Sequence, residues 1–149
     1  VSERFHSRLN ASEKVYVSRL ATDPALHVFE RKYMTPCEEP LDLGAMKEAA
    51  AYLVGEHDFQ SFCTKKMKKS SVRKLEEIRL EQLLGEIRIT YRGNGFLYNM
   101  VRILTGTLLE VGIGKLSPED IPAILEAKER QKAGATAPAQ GLCLKEVRY

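Results

Sequence analysis

Between Leu97 and Val111 the chain carries its most apolar stretch, and that stretch limits what the rest can fold into. Met100, Val101, Ile103, Leu104, Leu108 and Val111 fall at helical spacing and leave only a narrow polar strip, so the segment reads as a largely buried helix. Gly112 and Gly114 stop it. Such a helix must be covered by other elements. With 149 residues, 44% of them hydrophobic, the chain is long enough to supply that cover as one domain. Arg102 stands in the middle of the apolar run. A guanidinium keeps its proton, so if buried it must face a carboxylate or a phosphate, and if on the polar strip it reaches solvent. Periodicity leaves both open.

The remaining pattern supplies the covering layer. Val15–Leu20 reads as a strand with Val15 and Val17 on one face and Tyr16 and Leu20 on the other. Thr22–Pro40 reads mostly as connection. Asp42 is an N-cap for a helix over 42–54 with a stripe of Leu43, Met46, Ala50, Leu53 and Val54, and Gly55 ends it. His57-Asp58-Phe59 reads as a capping turn. Lys74–Leu83, imperfectly alternating, and Glu86–Arg92, cleanly alternating, make a hairpin around Gly85. Ser117-Pro118-Glu119-Asp120 starts a helix that runs to about Lys132, and Leu142–Tyr149 is a closing strand. This order predicts an α+β fold. It is a ferredoxin-like split βαββαβ, with an antiparallel sheet, helices on one face and one additional C-terminal helix. That fold alone names no function.

Composition excludes some classes. No run is long enough to span a membrane, and no apolar N-terminal stretch suggests a signal peptide. The first residue is Val, which reads as the start of a processed or engineered fragment. Cys37, Cys63 and Cys143 form no C-x-x-C pair, and His6, His27 and His57 lack metal-ligand spacing, so neither a disulfide framework nor a metal site is expected.

Charge points to a partner. The net charge of +3 is mild, but Lys65-Lys66-Met67-Lys68-Lys69-Ser70-Ser71-Val72-Arg73-Lys74 holds six basic residues and no acid. Arg4, His6, Arg8, Lys14 and Arg19 form a second cluster around the first strand. Two basic clusters on one small domain favour a nucleic acid over two solvated surfaces. Arg92-Gly93-Asn94-Gly95-Phe96-Leu97-Tyr98 partly resembles the base-stacking strand of RRM domains, but Asn94 and Asn99 stand where aromatics belong. Its two glycines fit a tight strand-to-helix turn with positive φ.

Several blocks, in order along the chain, resemble the bacterial tRNA pseudouridine synthase A family. Phe5-His6-Ser7-Arg8 with Ala11, Lys14 and Tyr16 is similar to its F-H-A-R-x-x-A-x-x-R/K-x-Y segment. Leu41-Asp42 and Gly55–Phe62 resemble its helix start and H-D-F-x-S-F turn. Asn94–Arg102 with Gly106 and Leu109–Gly112 resembles its downstream block, and Thr136–Ala139, Gly141–Leu144 and Val147–Tyr149 resemble its last strand.

The resemblance implies an isomerase that converts uridine to pseudouridine in the tRNA anticodon stem-loop, without metal or organic cofactor. It implies that Tyr16 lies against the flipped base, that Leu142 walls the other side, and that Arg102 pairs with the catalytic aspartate. It implies tRNA contacts at Phe5, His6, Ser7, Arg8 and Leu9 and at Lys65, Lys66, Lys68, Lys69 and Ser70. It further implies a cytoplasmic homodimer, away from membranes. The family's aspartate sits in a G-R-x-D segment upstream of the F-H-A-R block, and no such segment occurs here. Residues 1–149 therefore read as a C-terminal domain without the N-terminal domain that carries the nucleophile, inactive alone. Ser7 and Ser18 depart from the family's usual Ala and Tyr. The competing reading is a non-catalytic RNA-binding module of RRM-like topology, and a blander one is a structural ferredoxin-like domain.

Overall fold

The computed structural model describes residues 13–23, 34–37, 39–65 and 70–148, with no side-chain description at Gln140 or over 144–148. Six strands and three helices occur among them. They are β1 (Glu13–Ala21), β2 (Thr35–Pro36), α1 (Leu43–Leu53), β3 (Gly55–Asp58), β4 (Val72–Leu83), β5 (Glu86–Gly93), α2 (Met100–Gly112), α3 (Ile121–Ala127) and β6 (Leu142–Arg148). The sheet runs β2-β1-β5-β4-β3. β6 lies antiparallel along the Glu13–Ser18 part of β1, on which the short parallel β2 takes the Leu20–Ala21 end. The helices pack on one face. The fold is a mixed α+β domain with a mostly antiparallel sheet.

Alternation decides the two faces. Tyr16, Ser18 and Leu20 pair with Tyr91, Ile89 and Ile87 on the helix side, where α1 adds Met46, Ala49, Ala50 and Leu53 and α3 adds Ile121, Ile124 and Leu125. α2 fills the middle of this core, with Met100, Ile103, Leu104 and Leu108 fully buried. Its hydroxyls are absorbed rather than left orphaned. Thr105 Oγ1 bonds the Tyr91 phenol at 2.7 Å and Thr107 Oγ1 donates to the Ile103 carbonyl at 2.8 Å. Burial pushes the Tyr91 phenol pKa up, against the smaller opposing pull of Thr105.

The opposite face carries charge that is largely self-neutralised. Arg19 grips Glu86 through Nε at 2.8 Å and Nη2 at 3.1 Å, and Arg88 Nε reaches the same carboxylate at 3.1 Å. Arg92 binds Glu13 at 2.7 Å and Glu77 at 3.4 Å. Arg19, expected in a basic cluster, is thus engaged by an acid. Arg4, His6 and Arg8 of that cluster lie outside the described residues.

Several boundaries differ from expectation for identifiable reasons. A bulge between Leu75 and Glu77 shifts the β4–β5 register, which explains the broken alternation in β4. His57 and Asp58 lie in β3, hydrogen-bonded to β4, instead of a capping turn. β2 occupies part of the expected connection, too short to leave a period in sequence. The helix placed from Leu97 starts at Met100, and the one expected to reach Lys132 ends at Ala127, where Lys128 turns left-handed at φ 53°. Neither Gly93 nor Gly95 takes positive φ. Gly93 is needed for closeness instead: a Cβ there would lie 2.7 Å from the Lys74 carbonyl oxygen.

Glu86 has a side chain only 4% exposed. Its hydrogen bonds from Arg19, and secondarily Arg88, hold its carboxyl below the ordinary glutamate pKa despite burial. A depressed carboxyl contributes stability that is fully present above the unfolded value of about 4.3 and lost as pH falls through the folded value. Glu86→Gln is expected to lower unfolding free energy by about 1–3 kcal/mol at neutral pH. That deficit should shrink in urea titrations below about pH 4. A deficit constant across that range would show that the ion cluster contributes nothing through charge.

Candidate functional site

The N-terminal end of α2 meets β1 and the start of β6 in a cleft of about 130 Å³. Tyr16, Phe96, Leu97, Asn99, Met100, Val101, Arg102 and Leu142 line it. Each reaches it for a local reason. Tyr16 lies on the helix side of β1, opposite Tyr91. A bulge between Val15 and Tyr16 interrupts the pairing with β6 there, and Leu142 enters beside Ser18. Phe96 belongs to the turn between β5 and α2 and packs edge-on against Tyr16, ring centroids 5.0 Å apart at 84°.

Arg102 is neither sealed in the core nor released to water. It is half-buried. Its Nε donates to the Ala137 carbonyl at 2.8 Å and its Nη1 to Asn99 Oδ1 at 3.3 Å. Both acceptors are neutral, and among the described residues no carboxylate lies within 4.0 Å of the guanidinium. The charge is therefore oriented without being neutralised, which suits it to receive an anion.

The Ala137 carbonyl is placed by a strap, Gly134–Ala137, that runs along α2. Gly134 N–H donates to Thr107 Oγ1 at 2.9 Å, Ala135 N–H to Glu110 Oε2 at 2.8 Å, and Ala137 N–H to the Arg102 carbonyl at 3.0 Å. Gly106 lets the strap approach, since a Cβ there would overlap the Ala135 carbonyl.

Tyr16, Arg102 and Leu142, singled out in the sequence, are thus brought to one cleft. Lys65 stands beside it, its Nζ 4.3 Å from the centroid of the exposed Tyr98 ring. Ser70, exposed at the other root of the basic loop, accepts from Val72 N–H at 3.1 Å. Phe5, His6, Ser7, Arg8, Leu9, Lys66, Lys68 and Lys69 lie outside the described residues. Sequence reasoning missed Phe96, Asn99 and the strap. Asn99 carried a usable signal, because asparagine tolerates the left-handed conformation it adopts at φ 60°. Gly93 closes β5, so Phe96 and Tyr98 lie beyond the sheet and not on it as in an RRM stacking strand. The described residues contain no group of three or more His, Cys, Asp or Glu placed to hold a metal, and no helix long and apolar enough to cross a membrane.

Gly106→Ala is expected to force the strap away from α2 at a cost of about 1–3 kcal/mol in unfolding free energy. Loss of the Ala137 acceptor should follow, seen as faster hydrogen exchange at the Ala137 amide. Wild-type stability and exchange would mean the strap tolerates a side chain.

A family model described as tRNA pseudouridine synthase matches residues 49–149. A tRNA pseudouridine synthase A from Brevibacillus brevis is 47% identical over 150 residues, covering 100% of this chain and 62% of its own length. A tRNA pseudouridine synthase A 1 from Clostridium tetani is 46% identical over 149 residues, covering 99% and 61%. A tRNA pseudouridine synthase A from Halalkalibacterium halodurans is 48% identical over 139 residues, covering 93% and 53%. The chain thus spans between about half and 62% of the length of these relatives. The chain belongs to the tRNA pseudouridine synthase family.

Proposed function

We propose that this chain is the C-terminal domain of an enzyme that isomerises uridine to pseudouridine in the anticodon stem-loop of tRNA. The observation that carries the reading is the convergence of Tyr16, Arg102 and Leu142, from the first strand, the buried helix and the last strand, on one cleft. A target uridine must leave its stack, and the pocket must replace what it loses. Tyr16 lies against the base and Leu142 closes the other side. Arg102 pairs with an aspartate carried by a segment upstream of Phe5, holding that carboxylate ionised and aimed. The C1′–N1 bond breaks, the uracil turns, and C1′–C5 forms; the proton lost from C5 is matched by one gained at N1. The isomerisation balances without metal or cofactor.

The spatial order β6-β1-β5-β4, with α1 following the first of these strands in sequence and α2 the third, supports a ferredoxin-like split βαββαβ core to which β2, β3 and α3 are additions. The basic loop from Lys65 to Ser70, with Lys66, Lys68 and Lys69, and the Phe5–Leu9 segment contact the tRNA backbone. The complete protein acts as a cytoplasmic homodimer. The self-neutralised face of the sheet argues against the competing RRM-like module, which needs exposed aromatics on that kind of surface.

The chain alone is expected to form no pseudouridine in a tRNA transcript, and the chain extended upstream through a G-R-x-D segment is expected to form it. In the extended protein Arg102→Lys should lower turnover by about 10²–10³-fold with the fold intact, because an ammonium lacks the fork. Activity of the chain alone, or normal turnover in that variant, overturns the assignment. Replacing Lys65, Lys66, Lys68 and Lys69 by Ala should flatten the salt dependence of tRNA binding by about 0.7–0.9 log units per lost phosphate contact. An unchanged slope removes the loop from the interface.

A further inference from the structure

We infer that Asn99 is a positioning residue for the Arg102 guanidinium, clasping it to the root of the basic loop through Thr64; this rests on the cleft reading above. Asn99 occupies the position before α2, yet its side chain makes no capping hydrogen bond to the helix. Its amide is used elsewhere. Oδ1 accepts from Arg102 Nη1 at 3.3 Å, and Nδ2 donates to Thr64 Oγ1 at 3.4 Å.

The orientation of that amide follows from chemistry. A guanidinium offers only donors, so it must meet Oδ1, and Nδ2 then turns to Thr64, whose hydroxyl can accept. The backbone adds a second demand, since φ 60° and ψ 11° are left-handed and unfavourable for most side chains. Asparagine meets all three requirements together: it tolerates the conformation, accepts from Arg102 and donates to Thr64.

The guanidinium is consequently held from two directions, at Nε by the strap carbonyl and at Nη1 by Asn99. Thr64 immediately precedes Lys65, whose ammonium sits over the ring of Tyr98, the neighbour of Asn99. The loop root and the turn before α2 are therefore joined twice, by a hydrogen bond and a cation–π contact. An RNA phosphate drawn to the loop meets a segment mechanically continuous with the cleft. Asn99 fixes where the three remaining N–H groups, one on Nη1 and two on Nη2, can present themselves to an acid.

Asn99→Gly removes the amide while keeping the left-handed backbone, so the fold is retained. In the upstream-extended protein it is expected to lower kcat about tenfold with KM for tRNA within about twofold, the pattern of a contact that matters after substrate is bound. Thr64→Val should lower kcat in the same sense by about threefold, and Thr64→Ser should restore it. On the chain as it stands, the Arg102 side-chain ¹⁵N signals are to be compared at low temperature. Restricted rotation about Cζ–Nη1 is expected in the unsubstituted chain and free rotation in Asn99→Gly. Unchanged Nη signals in Asn99→Gly overturn the inference, as does a raised KM with kcat intact. If Arg102→Lys keeps its turnover while Asn99→Gly frees the Nη rotation, the clasp stands and the catalytic reading of the cleft fails.

Discussion

A helix that is apolar nearly all round has to be enclosed nearly all round, and α2 organises this domain through that demand. The sheet takes one side, α1 and the short Gln60–Phe62 turn take others, and the strap takes the strip that remains. Burial of a side chain such as Leu104 or Ile103 contributes about 1.5–3 kcal/mol each. Enclosure is therefore the largest favourable contribution at hand, and the close approach permitted by Gly106 follows from it. The polar cost is small because Thr105 and Thr107 find partners at 2.7 and 2.8 Å. The enclosure is incomplete at two places, at Leu109 and Glu110 near the C-terminal end and at the N-terminal turn, where Arg102 is.

Where the sheet faces away from the helices, the electrostatic arrangement is of another kind. Arg19, Arg88 and Arg92 are spent on Glu86, Glu13 and Glu77, so a dense row of charge produces little outward potential. The formal net charge of +3 understates how unevenly the positive potential is spread. The sequence from Lys65 to Lys69 holds four lysines and no acid, and Lys65 at its root stands against Tyr98 in the turn before α2.

Periodicity revealed the elements that bury a face and hid those that do not. α1, β5 and α2 stand close to where their apolar spacing put them, because burial is what creates the spacing. β2 and β3 have two and four residues and are held by backbone hydrogen bonds to β1 and β4, which leave no trace in side-chain pattern. The glycines near the turn illustrate a second limit. Gly93 signalled a special backbone, but the requirement was the proximity of Lys74, a partner remote in sequence. The positive φ fell on Asn99 instead. For the cleft, Tyr16, Arg102 and Leu142 were legible through a family resemblance, whereas periodicity left Arg102 undecided. The strap carbonyl was not legible at all, since any residue type at 137 supplies one.

The two neutral acceptors on Arg102 have an energetic consequence. A guanidinium paired with a resident carboxylate would give up that partner before gripping another, and the exchange would consume much of the gain. Carbonyl and amide oxygens orient the group without cancelling its charge. The entropy of fixing a long side chain is already met by the fold, so an arriving carboxylate gains attraction to a cation that needs no reordering. The half-buried setting strengthens that attraction relative to open water while avoiding the full penalty of a sealed, unpaired charge. Apolar walls from Phe96, Leu97, Met100 and Leu142 limit the water that would otherwise screen the pair. An arginine placed by packing alone would need none of this: neither a dedicated backbone carbonyl delivered by a glycine-dependent strap nor a left-handed asparagine on its other side.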